Sequence, residues 1–377
     1  MKVSNLSSYI IRLYEAGRGN GRITLFLLGG PGIGKSHSVL QAAKEIAAKM
    51  KKEFVIYNDD IAPTILANPE RYFVYTDFRL TECEPTDLIG IPEKITSVGA
   101  TRFSPMLWAR VMSKTAGILM LDELTNVPRD DVLSEAYKLT FDRSAGFVKF
   151  HDDVMIIGCG NRPEDSSIAR MLPSPLVNRL LIINVDTPTV DEWKEFMDST
   201  YGEEWDRRTY FFLKRFETDG YLYMPPKSTE VLEAYPTPRS WTSTARLLYK
   251  GFDDLDTLIG LVGSEVGYKL HAFLSINVSL ETILDKPQMY TEYPLDTKYM
   301  IISMLVTHVT KHIKDAEAMD KVLRLFNVIA TDTRELALLL IRSIETKWRP
   351  EFIRQILAKY PQYNAILEDI IKKKNLL

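Results

Sequence analysis

The stretch ITLFLLGGPGIGKSHSVLQAA, Ile23 to Ala43, decides the fold. Its first part, Ile23–Leu28, is a continuous apolar run, as expected of a strand covered on both faces. Its middle, Gly29-Gly30-Pro31-Gly32-Ile33-Gly34-Lys35-Ser36, fits G-x-x-x-x-G-K-[ST], and a helical stretch that includes His37 opens near Ser36. Strand, glycine-rich loop and helix in that order make an anion cradle. The glycines let successive backbone N–H groups curl around phosphate oxygens, and the helix N-terminus adds its positive end. Lys35 then reaches the β- and γ-phosphates, and the Ser36 hydroxyl is a ligand for Mg²⁺.

Four more apolar runs follow: YFVYTDF (Tyr72–Phe78), GILMLDE (Gly117–Glu123), VMIIGCGN (Val154–Asn161) and LLIINVD (Leu180–Asp186). Alternating with helical stretches, they predict an α/β domain with a five-stranded parallel sheet, doubly wound. The second run of these ends in Asp122 and Glu123, at the strand end where open α/β sheets bind ligands. Asp122 would hold the Mg²⁺ through its shell, and Glu123 would orient or deprotonate an attacking water. ATP is preferred over GTP because no [NT]KxD element occurs: Thr297-Lys298 runs into Tyr299-Met300, and Thr346-Lys347 into Trp348-Arg349. Asp87-Leu88-Ile89-Gly90 is therefore no evidence for a switch loop.

Beyond Asp186 helical spacing dominates, which divides the chain into a core over 1–188, a helical lid over 189–285 and a helical extension over 286–377. Pro225, Pro226, Pro236 and Pro238 punctuate a loop before a helix that opens near Ser240, and Asp332 with Glu335 gives a D-x-x-E helix start. The 377 residues carry 47 Lys+Arg against 50 Asp+Glu, a net −3 that offers no global field for nucleic acid and ranks a protein client above it. Cys83 and Cys159 are far apart, so a reduced, cytoplasmic setting fits better than disulfides or a thiolate metal site. The stretch Gly260 to Leu280, the longest membrane candidate, contains Glu265 and Lys269 and reads as a soluble helix. His308 and His312 are spaced i, i+4 but lack the Glu of a zinc-protease helix.

Together these motifs resemble the AAA+ ATPases of the MoxR-like group, in the helix-2-insert branch. The resemblance covers roughly Ile23 to Leu248 and rests on GGPGIGKS, DLIGIP (Asp87–Pro92), LMLDE, GCGNRPED (Gly158–Asp165), LPSPLVNR (Leu172–Arg179) and TPRSW (Thr237–Trp241). It implies that Asn161 is the sensor 1 residue that positions the water, and that Arg179 is the arginine finger reaching a neighbouring subunit's nucleotide, with Arg170 as the alternative. It implies that Arg239 is the sensor 2 arginine, with Arg246 as the alternative. Glu93–Pro105 stands in the place of the helix-2 insert, and Thr140–Asp153 in that of the pre-sensor-1 hairpin. The chain departs from the family pattern with Thr125-Asn126 after Leu124, N-R-P at the sensor and N-R-L at the finger. The implied activity is Mg²⁺-dependent ATP hydrolysis in a homo-oligomeric, hexameric ring that remodels a protein client, often beside a von Willebrand factor A-domain protein. The rivals are a nucleic-acid motor and a nucleotide-gated scaffold.

Overall fold

The computed structural model describes residues 1–17, 23–97, 99–166, 169–226, 233–364 and 367. Val98, within the Glu93–Pro105 stretch, lies outside them. The chain forms two compact units. The first holds Met1–Trp193, with Pro225, Pro226 and Thr237–Arg239; the second holds Lys194–Met224 and the chain from Ser240 onward.

The first unit is built on β1 (Thr24–Leu28), β2 (Glu53–Ile56), β3 (Tyr72–Arg79), β6 (Ala116–Asp122), β9 (Val154–Gly160) and β10 (Leu180–Asn184). They form one six-stranded parallel sheet in the order β10-β1-β9-β6-β3-β2. The α/β class is the expected one, with a helical remainder, but the sheet has six strands rather than five. The additional strand is β2, which spans only EFVI at the sheet edge and fully buries Val55 alone. Lys51, Lys52 and the acidic turn after Tyr57 give it none of the apolar length of its neighbours.

The inner strands are buried on both faces: six of the seven β6 residues are buried, and all seven of β9. Phe26, Val74, Leu119, Leu121 and Ile156 pack with Trp108, Ala136 and Leu139 from helices Leu107–Met112 and Asp130–Asp142. Helix α2 (Lys35–Lys49) buries Val39, Ala43 and Ile46 as it runs against β2, β3 and β6. The register sets Leu28 beside Gly160, Leu121 beside Gly158 and Arg79 beside Asp122. Parallel strands so aligned end level, which brings the segments after β1, β9 and β6 together although they are far apart in sequence.

Two small antiparallel ribbons stand apart from the sheet. One is β4 (Ile91–Ile95) with β5 (Ala100–Ser104), and the other is β7 (Ser144–Ala145) with β8 (Val148–Lys149). Phe147, in the turn of the second, is 88% exposed.

The described elements of the second unit are helical. Phe212 is an aromatic hub, its ring centre 5.6 Å from Trp241 and 5.7 Å from Phe273. Arg215 pairs with Asp296 at 2.6 Å, across the 285/286 division expected from sequence. The Gly260–Leu280 stretch is cut at Gly263, whose φ of +79° separates helix Leu255–Val262 from Ser264–Leu274. Among the described residues no helix is long and apolar enough to cross a membrane. Asp332 ends helix Ala316–Asp332 and accepts a hydrogen bond from Lys298 at 2.9 Å, so Thr333, not Asp332, occupies the N-cap of the next helix.

Candidate functional site

The loop between β1 and α2 turns on Gly32 and Gly34, with φ of +72° and +105°, a region that side-chain-bearing residues enter only at a cost. Ile33 between them is buried at 2% exposure, which anchors the loop from below, while Gly29 packs against the Val185 backbone. Pro31 is half-buried, and His37 is exposed on the first turn of α2.

Lys35 is buried and donates from Nζ to Gly29 O at 2.6 Å, to Gly30 O at 2.8 Å and to Asn161 Oδ1 at 3.3 Å. Burial holds its ammonium below the ordinary lysine pKa, against the upward pull of Asp122 and Asp165. Ser36 Oγ donates to Asp122 Oδ2 at 2.9 Å, and the other Asp122 oxygen accepts from Glu123 N at 2.9 Å. A hydroxyl and a carboxylate so close are hard oxygen donors that suit Mg²⁺, which keeps waters and phosphate oxygens in the rest of its shell. No group of three or more His, Cys, Asp or Glu side chains able to cage a metal occurs among the described residues.

After Asp122 the backbone leaves the strand sharply. Glu123 has φ +59°, and Leu124 N donates to Cys159 O at 2.9 Å, so the chain hooks across onto β9. A non-glycine residue held there stores roughly 1–3 kcal/mol of strain, a feature that gathers at functional sites. The twist separates the two carboxylates: Asp122 faces Ser36, while Glu123 Oε2 accepts from Thr81 Oγ1 at 2.9 Å. On the β9 side, Thr125 Oγ1 accepts from Asn161 N at 2.8 Å.

Lys35, Ser36, Asp122, Glu123 and Asn161 therefore gather at one sheet end. Arg239 joins the loop side: a Cβ placed on Gly32 would lie 3.3 Å from Arg239 Cβ and 3.1 Å from Thr237 Oγ1. Arg179 does not join it. Its guanidinium sits 4.7 Å from the centre of the Phe141 ring, and it precedes Leu180, which pairs with Thr24 at the opposite end of β1 from Leu28 and the loop. Arg170 pairs with Asp130 at 3.3 Å, and Arg246 lies over the Tyr201 ring at 4.7 Å. His308 and His312 stack with ring centres 4.5 Å apart.

Known proteins add little to this geometry. No family model matches the chain, and no curated protein matches it. Solved structures do resemble it at a distance. PCH-2 of C. elegans is 14% identical with a TM-score of 0.32; the match covers 74% of this chain and 64% of that one, under two thirds of its length. ORC1 of Aeropyrum pernix, solved in complex with DNA, is 12% identical with a TM-score of 0.40, over 90% of this chain and 81% of that one. DnaA of Aquifex aeolicus, solved with AMPPCP bound, is 12% identical with a TM-score of 0.37, over 98% and 92%. Likeness this distant leaves the chemistry to be argued from the site's own atoms.

Sequence reasoning missed Thr81 and singled out Thr125 only as a departure from the family pattern. It gave no role to Asp165, whose carboxylate acts on Lys35. None of the three lies within a phosphate-binding motif; only the parallel order of β1, β9, β6 and β3 brings them to the site.

Proposed function

We propose that the chain is a Mg²⁺-dependent ATPase of the AAA+ type, in the MoxR-like branch, working as a homo-oligomeric ring on a protein client. The observation that carries the reading is the paired contact Lys35–Asn161 and Ser36–Asp122 at the mouth of a glycine-rich loop. Lys35 and the loop N–H groups receive the phosphates, and the positive end of α2 favours their charge. Ser36 and Asp122 are the residues that would hold Mg²⁺, which when bound neutralises phosphate charge. Glu123 has the place of the residue that orients the attacking water, and Asn161 that of the group that fixes its line of approach.

Arg179 supports a ring because its guanidinium lies away from its own cluster, as a group serving a neighbouring subunit would. Such a guanidinium is worth about 10³–10⁵ in rate. The lid over 189–285 would report nucleotide state through Arg239, and the ring would pass that motion to a client, a von Willebrand factor A-domain protein being the partner type the family resemblance suggests.

Nucleotide binding and phosphate release across a range of protein concentrations test the reading. Lys35→Ala should abolish binding, while Glu123→Gln and Arg179→Ala should bind ATP and lose hydrolysis. Normal turnover by Arg179→Ala at every concentration would remove the trans finger. Strong stimulation by DNA would favour a nucleic-acid motor, and negligible turnover of the intact chain a scaffold.

A further inference from the structure

The loop after β9 reads Asn161-Arg162-Pro163-Glu164-Asp165-Ser166, with an arginine where the resembled pattern passes straight from asparagine to proline. The N–H groups of Asp165 and Ser166 both donate to Arg162 O, at 3.0 and 3.1 Å, which folds Asp165 back over Arg162. Arg162 Nε donates to Asp165 Oδ2 at 2.5 Å and lies 3.8 Å from Glu164 Oε1. The Asp165 side chain is only 8% exposed, and that of Arg162 28%.

This charge pair begins one residue after Asn161, whose Oδ1 meets the Lys35 ammonium. The Asp165 carboxylate is close enough to Lys35 to oppose the fall in its pKa. A shielded carboxylate beside a lysine that must receive a polyanion works against binding unless a cation accompanies it. Arg162 is that cation. A guanidinium is a planar fork of five donors, so it can exchange a carboxylate for a phosphate oxygen, or share itself between the two, with little rearrangement. On the ATP reading, a nucleoside diphosphate lacks the γ-phosphate and so would offer Arg162 nothing to exchange for.

We infer that Arg162 reads the γ-phosphate within its own subunit, and that Asp165 is the carboxylate that holds it while that phosphate is absent. The inference rests on the ATP reading above and deepens it: the site would tell triphosphate from diphosphate by a cis arginine, separate from any finger a neighbour supplies. If the pair only stapled the loop, its loss would weaken both nucleotides alike.

The test is equilibrium titration of the full chain with fluorescent ADP and with a fluorescent, non-hydrolysable ATP analogue, both with Mg²⁺. Arg162→Ala should weaken the analogue by about 10- to 100-fold, the worth of one charge-assisted hydrogen bond, and leave ADP within about 2-fold. Asp165→Asn should tighten the analogue more than ADP. Equal losses for both nucleotides, or no loss, would overturn the inference. Should Arg162→Ala fail to fold, Arg162→Lys keeps the ion pair but not the fork; a loss selective for the analogue supports the inference, and unchanged affinities overturn it. Wild-type protein that bound neither nucleotide would instead remove the ATP reading on which the inference stands.

Discussion

Thr81 Oγ1 donates to Glu123 Oε2 at 2.9 Å, tying the segment after β3 to the carboxylate at the end of β6. The bond fixes one carboxylate oxygen; on the proposed function the other would meet the attacking water. With Glu123 already committed to a left-handed backbone, the side chain has few other ways to be held. Thr81→Val keeps the shape and deletes the donor. On the proposed function, turnover should fall about 10-fold, a fraction of the roughly 10²–10⁴-fold that a positioned general base contributes, with ATP affinity unchanged. Phosphate release at saturating ATP, beside a binding isotherm, checks this, and a matching loss of affinity would count against it.

Thr125 makes the corresponding link on the other side, accepting from Asn161 N at 2.8 Å. Asn161 is half-buried, so a lost acceptor leaves a partly shielded N–H unpaired, at about 1 kcal/mol. Thr125→Val should lower the urea midpoint accordingly. Because Asn161 is released as well, turnover should drop further than the fraction folded explains. A loss confined to stability would leave Thr125 a packing residue and no more.

Lys35 was legible through its glycine-rich loop motif, and Asp122 and Asn161 because each sits where a long apolar run stops, the strand ends of a parallel sheet marking the ligand edge. β2 was not legible, since four residues with one fully buried carry too little pattern. Thr81 and Thr125 escaped for another reason: they reach Glu123 and Asn161 only when β3, β6 and β9 are laid side by side. Register between distant strands is settled by packing across the whole sheet rather than by the residues at its end. The return of Thr237–Arg239 to the first unit is likewise a tertiary event. The sequence motif marked Arg239, but the shortness of the gap it leaves above Gly32 shows only in three dimensions.

Gly160 is the last residue of β9, and a Cβ there would come within 2.7 Å of Thr125 Cγ2 and 2.8 Å of Phe26 Cζ. Neither neighbour can retreat easily, for Phe26 is 1% exposed and Thr125 holds Asn161. Gly160→Ala should therefore destabilise the first unit by about 1–3 kcal/mol, the usual effect of overpacking. It should also weaken ATP binding by pushing Thr125 and Asn161 off position. Thermal melting with and without nucleotide measures both effects. Full stability in the variant would mean that the sheet end is looser than these distances imply.

Asp77 sits near the C-terminal end of β3, two residues before the Arg79–Asp122 register pair. Although Asp77 is exposed, the packed protein on one side of its carboxyl, followed by the Asp122 charge, pushes it from the ordinary 3.8 up to about 6, with Arg79 pulling the other way. The folded chain thus holds this proton more tightly than the unfolded chain does. The resulting stabilisation is complete below the unfolded value and is lost as pH rises through about 6. Between those values Asp77 makes wild-type stability fall with rising pH, and Asp77→Asn removes that slope. Urea midpoints at pH values on either side of the window should show the variant gaining on wild type above it, the gap closing below it. A gap that is the same on both sides would mean that Asp77 titrates as an ordinary surface carboxylate.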